Sequence, residues 1–117
     1  MSQHIQRIQR VNQLLRKEVG EILLREVEFQ DALVTITRVD ASANLQQAKL
    51  FISVMPEEKT SEVLKLLQRE IYNIQQKLNK RLSMRPIPRI IFVREKAVKE
   101  ASHIEELLEQ VHDGKTD

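Results

Sequence analysis

The chain has 117 residues, 41% of them apolar and 31% charged, which is the composition of an ordinary soluble domain with material for one core and not for two. It has no cysteine and only two glycines, so disulfide scaffolds, thiol catalysis, thiolate zinc sites and glycine-rich phosphate loops are excluded. The net charge is only +2, but the two signs are segregated. Residues 1–17 carry Arg7, Arg10, Arg16 and Lys17 and no acid; residues 71–94 carry Lys77, Lys80, Arg81, Arg85, Arg89 and Arg94 and again no acid. The last 23 residues reverse the balance, with seven acids against three bases. Such clustering is the footprint of a face that binds a polyanion, although two solvated basic faces would give the same pattern.

Residues 3 to about 28 read as a helix, because Ile5, Ile8, Val11, Leu15, Val19, Ile22 and Leu23 recur at three- and four-residue steps. At 100° per residue Arg7, Arg10 and Lys17 fall within about 80° of one another, away from that stripe. Gly20 inside the helix costs about 1 kcal/mol relative to alanine, and close approach of a neighbouring element is one reason to keep it. Residues 33–39 are rich in β-branched side chains and read as a strand, followed by turn chemistry at Asp40 to Asn44. In residues 47–55, Ala48, Leu50, Ile52 and Val54 alternate with Lys49, Phe51 and Ser53. That pattern indicates an antiparallel sheet covered on one side.

Pro56 ends the second strand, and Thr60 or Ser61 is positioned to cap a helix running to about Met84. Lys77, Lys80 and Arg81 in its last turns suit the negative end of the helix dipole, which by itself explains those three but not Arg85, Arg89 and Arg94. The Arg85-Pro86-Ile87-Pro88 segment breaks the helix, residues 89–94 form a third strand, and a last helix uses Ala97, Ala101, Ile104, Leu107, Leu108 and Val111 before Gly114. The order is helix, strand, strand, long helix, strand, helix: an α+β domain with a three-stranded sheet and helices on one face. It spans residues 1–117, with a frayed tail at 112–117. No apolar run reaches membrane-spanning length and the N-terminus lacks the apolar stretch of a signal peptide, so a cytoplasmic protein is expected.

No set of nucleophile, base and orienting group can be assembled around His103 and Glu106 or around Ser42 and Ser53, and the pairs Glu57-Glu58 and Glu105-Glu106 read as solvated surface. His4, His103 and His112 have no metal-ligand spacing. An enzyme, a cofactor, a metal and a small-molecule substrate are therefore not expected. Aromatic residues are limited to Phe29, Phe51, Phe92 and Tyr72; Phe92 reads as core, leaving Phe51 as the exposed candidate for stacking. Binding through phosphates and shape is then favoured over base reading on an aromatic platform.

Three segments resemble the ribosome-binding factor A family: residues 7–18 (RIQRVNQLLRKE), with arginines three apart; residues 34–54 (VTITRVDASANLQQAKLFISV), the most specific of the three; and residues 78–92 (LNKRLSMRPIPRIIF). The resemblance implies a KH-like fold of the bacterial type (type II) without the GxxG loop, in which the long helix is two helices meeting at a kink. It further implies a monomeric, noncatalytic assembly factor that binds the free small ribosomal subunit and assists late maturation of 16S rRNA, including its 5′ end. Departures from the family pattern are Glu70-Ile71-Tyr72-Asn73 at the kink, where a straighter helix is an alternative, Asp31-Ala32 and Ala43-Asn44 around the hairpin, and Gln75 in place of an arginine. The residues expected to hold rRNA are Arg7, Arg10 and Lys17 on one side and Lys77, Lys80, Arg81, Arg85 and Arg89 on the other. The rival expectation is a module of the same fold that docks a protein partner through the Phe51 side of the sheet or the acidic C-terminal helix.

Overall fold

A computed structural model describes residues 3–96; the C-terminal helix expected after residue 96 and the tail at 112–117 lie outside the described residues. Helix α1 (Gln3–Glu26) is followed by strands β1 (Leu33–Ala41) and β2 (Gln47–Met55), a 3-10 turn (Glu57–Lys59), helix α2 (Thr60–Arg81) and strand β3 (Arg89–Arg94). The peptide bonds before Pro56 and Pro86 are cis.

The apolar stripe of α1 buries Val11, Leu15, Val19, Ile22 and Leu23, and that of α2 buries Val63, Leu67, Ile74 and Leu78. Both helices pack on one face of the sheet. The alternation expected in β2 holds: Ala48, Leu50, Ile52 and Val54 point into the core, and Lys49 stays exposed on the other face. Truncating a fully buried leucine or isoleucine here, such as Leu50 or Leu67, costs about 2–5 kcal/mol through lost burial and the cavity left behind.

The sheet order is β1-β2-β3, with β1 and β2 antiparallel and β2 and β3 parallel. The expected antiparallel sheet is thus correct for the hairpin and wrong for β3. A 22-residue helix rises about 33 Å, so α2 carries the chain back towards the start of β2, and β3 enters running the same way. At Thr37 the register of β1 slips by one residue, a bulge that leaves this residue outside the strand register while its hydroxyl lies 3.2 Å from the Phe51 carbonyl of β2.

The hairpin turn is held by side chains. The Ser42 hydroxyl donates to Asn44 Oδ1 (2.7 Å), which also accepts from the Gln46 backbone N–H (3.0 Å). Leu45 follows in the left-handed region, φ 58°, with its side chain 3% exposed. A non-glycine residue rarely adopts that backbone, and burying the leucine against the core offsets the strain. Asn12 of α1 accepts a bond from the Ala41 N–H (2.9 Å), tying the N-terminal half of α1 to the end of β1.

Three local expectations need correction. Neither Thr60 nor Ser61 caps α2: the N-cap is Lys59, and the buried Thr60 hydroxyl donates to the Glu57 carbonyl (2.6 Å), joining the 3-10 turn to the helix. The helix ends at Arg81 rather than Met84, because Leu82 is extended and buries its side chain. Gly20 meets no neighbour: a Cβ there would find nothing within 4 Å, so close packing does not explain it. From Thr60 to Arg81 the helix is uninterrupted, Glu70–Asn73 included, so the long helix is one continuous element rather than two separated by a break.

Candidate nucleic-acid interface

The second acid-free stretch meets the acid-bearing C-terminal half of α1 along the seam between α1 and α2. Lys77 pairs with Glu26 (3.6 Å), while Arg81 donates to Glu18 (Nε to Oε1, 2.6 Å) and to Glu21. As residue numbers rise along α2 they fall along α1, so the helices run antiparallel and the end of α2 points along the N-terminal half of α1. Lys17 lies beside Glu18 (3.4 Å) and Glu21 (3.8 Å) on the same helix. The hydrogen bond from Arg81 holds the Glu18 carboxyl below its usual value of 4.5, and the carboxylate in turn raises the guanidinium. Lys17, Lys77 and Arg81 therefore each lie within ion-pair distance of α1 carboxylates, Lys17 and Lys77 as solvent-exposed pairs.

The other five expected residues differ. Arg7 and Arg10 are exposed on the first turns of α1, with no carboxylate partner among the described residues. Lys80 is exposed near the end of α2 and likewise has no carboxylate partner among the described residues. Arg85 donates only to the carbonyls of Leu82 (3.3 Å) and Met84 (2.7 Å), and Arg89 reaches the Gln47 side-chain amide oxygen (3.5 Å). Both leave their full charge available to an anion.

Several bonds bring the segments that carry Arg7, Arg10, Arg85 and Arg89 to one end of the molecule, whereas Lys80 lines a cleft with Lys77, Glu26 and Glu70 beside the seam. Asn12 fastens α1 to Ala41, the Arg89 N–H donates to the Gln46 carbonyl beside the hairpin turn (3.0 Å), and Arg81 fixes the end of α2 against α1. Gln75 completes the assembly. Its side chain donates to the Pro88 carbonyl (3.2 Å) and to Asn79 (3.1 Å) and accepts from the Ile90 N–H (2.9 Å), so it splints α2 to the start of β3 and sets the segment that carries Arg85 and Arg89. Asn79, Arg85 and Ile87 line an open cleft of about 240 Å³ there.

The aromatic expectation inverts. Phe51 is half-buried and carries the Arg38 guanidinium 3.7 Å above its ring, and Arg38 in turn pairs with Glu95 (3.3 Å), which also accepts from the Thr37 hydroxyl (2.8 Å). Its exposed face is thus occupied. Tyr72 on α2 is 70% exposed instead. Helical spacing carried that signal, since Tyr72 lies directly after Ile71 and off the stripe of Val63, Leu67, Ile74 and Leu78. Arg16, also exposed, faces the opposite side of α1 from Arg7 and lines an apolar groove with Leu23, Leu24 and Leu33. Among the described residues no cluster of three or more His, Asp or Glu side chains is placed to hold a metal, and no helix is long and apolar enough to cross a membrane.

The family model for ribosome-binding factor A matches residues 7–108. The chain belongs to the ribosome-binding factor A family. Curated members similar to it include ribosome-binding factor A of Ligilactobacillus salivarius, 36% identical over 96% of both chains, and that of Natranaerobius thermophilus, 34% identical over 92% of this chain and 84% of that one. Among solved structures, the crystal structure of ribosome-binding factor A from Thermus thermophilus superposes with a TM-score of 0.64 at 22% identity, covering 74% of this chain and 93% of the other. A homology model of Thermus thermophilus ribosome-binding factor A, fitted into a cryo-electron-microscopy map of a 30S complex, gives a TM-score of 0.60 at 24% identity, covering 72% and 90%. The fold is the KH-like fold of ribosome-binding factor A.

Proposed function

We propose that this chain is a noncatalytic assembly factor that binds the free small ribosomal subunit in the cytoplasm and assists late maturation of its 16S rRNA, including the 5′ end. Family membership supports the subunit as partner. The observation that carries the mode of binding is the set of Arg7, Arg10, Arg85 and Arg89 at one end of the fold, with Lys80 nearby on α2, none of them with a carboxylate partner among the described residues. Such a set binds phosphates and gives affinity that falls steeply with salt. Lys77 and Arg81 act at one remove, by holding α2 against α1, while Lys17 pairs with Glu18 and Glu21 of its own helix.

Co-sedimentation with free small subunits, large subunits and assembled ribosomes across a salt series tests this reading. Salt-sensitive binding confined to the free small subunit is expected. Binding to no ribosomal particle, with salt-insensitive capture of a purified protein instead, would overturn it and direct attention to the apolar groove at Leu24 and Leu33.

A further inference from the structure

We infer that Tyr72 and the polar face of α2 around it form a stacking site for an unpaired nucleotide of the bound RNA, an inference that rests on the function proposed above. At 100° per residue, Lys65, Gln68, Arg69, Gln76 and Asn79 fall within about 60° of Tyr72 and form one strip along the outside of α2. The strip is about 21 Å long from Lys65 to Asn79, with Tyr72 at its midpoint. It contains no acid; the two acids of α2, Glu62 and Glu70, lie farther round or on the opposite side. Asn79 shares its cleft with Arg85, so the strip runs directly into the free cations at the end of the helix. Arg69 borders a cleft with Glu28 and Glu62, yet pairs with neither among the described residues.

An aromatic ring 70% in water at the centre of a helix has no packing role that its exposure would serve. A nucleobase stacks on such a ring whatever its sequence, and flanking cations track the phosphates on either side. Gln68 and Gln76, one helical turn before and after Tyr72, offer amide donors and acceptors to the edge of the stacked base. Phe51 cannot serve, because Arg38 already covers its ring.

The test is equilibrium binding of the full chain and its variants to free small subunits at several salt concentrations. Tyr72→Ala is expected to weaken binding about tenfold, within the range measured for removing one aromatic–base stack, while leaving the salt slope unchanged because no charge is lost. Tyr72→Phe keeps the ring and is expected to bind as the parent does. Arg69→Gln is expected to lower the slope by about one. Thermal melting of each variant shows whether the fold is kept, and an exposed position predicts that it is. Unchanged affinity in Tyr72→Ala, or equal loss in Tyr72→Ala and Tyr72→Phe, overturns the stacking site while the subunit-binding reading stands. Failure of the parent chain to bind small subunits at all removes that reading itself.

Discussion

The two basic clusters read alike in the sequence and behave differently in the structure. At the seam between the helices, Lys17, Lys77 and Arg81 each lie within ion-pair distance of a carboxylate of α1. At the end where α1, the hairpin turn and the α2–β3 connection come together, Arg7, Arg10, Arg85 and Arg89 have none among the described residues, and neither has Lys80 on α2. Lys17 has Glu18 and Glu21 close to it in the sequence, but Lys77 and Arg81 stand in a stretch without local acids and find Glu26, Glu18 and Glu21 only through the packing of α2 on α1. Charge density along the chain identifies cations; only the packing shows which are already satisfied.

The sharpest way to break this comparison is to reverse charge at the free end. Replacing Arg7 and Arg10 together with glutamate is expected to reduce small-subunit binding by at least about a hundredfold, with an unchanged melting temperature, since each lost phosphate contact lowers the salt slope by about one and reversal adds repulsion. Arg85→Gln with Arg89→Gln removes charge without reversing it and is expected to lower the slope by about two. The check in both cases is a binding isotherm at each of several salt concentrations; a parent-like slope in the double arginine variants would remove these residues from the interface.

Gln75→Ala probes the splint rather than the charge. It removes bonds to Pro88 and to the Ile90 N–H at a half-buried site and is expected to cost about 1–2 kcal/mol in a denaturant melt. It should also weaken binding with little change in slope, because the arginines are still present but less well placed. A loss of affinity without any loss of stability would contradict that role.

At the seam the effect is on stability and depends on pH. The Glu18 carboxyl has a folded-state pKa below its unfolded value, so its stabilising contribution is present above about pH 4.5 and disappears as pH falls through the lower folded value. Glu18→Gln should therefore melt below the parent at pH 7, and the two should converge in acid; a constant difference would contradict the ion pair. The smallest effect on binding is expected from Lys17→Gln with Lys77→Gln, both exposed and already paired, whose salt slope should match the parent.

Much of the fold was legible in the sequence. The stripe from Val11 to Leu23 and the alternation from Ala48 to Val54 gave α1 and β2 because burial on one face imposes periods of 3.6 and 2. The parallel entry of β3 was missed because alternation within a strand says which face is buried and not which way its neighbour runs. The length of α2 was the available clue. The end of α2 was misplaced because Leu82 continues the apolar stripe as a residue of the connection.

The candidate site was legible as a composition and not as a geometry. Arg7 and Arg10 were found by their spacing on a polar helix face, and Arg85 and Arg89 by lying beyond the helix end. The pairing of Arg81 with Glu18 spans 63 residues of chain and has no local signature. Gln75 was read as the absence of an arginine, whereas the structure gives it three polar contacts that position the α2–β3 connection. The expectation of an exposed Phe51 fails because its covering by Arg38 depends on pairing between strands, where the bulge at Thr37 aligns Arg38 with Phe51.

The central claim is that the free cations, and not the paired ones, hold the RNA. The most direct measurement compares the salt slope of small-subunit binding for the parent, for Arg7→Gln with Arg10→Gln, Arg85→Gln and Arg89→Gln, and for Lys17→Gln with Lys77→Gln. A slope lower by about four in the first variant and unchanged in the second is the predicted result. Equal reductions per charge removed in both would contradict the account, because the seam lysines would then be phosphate ligands and the division between the two clusters would have no functional meaning.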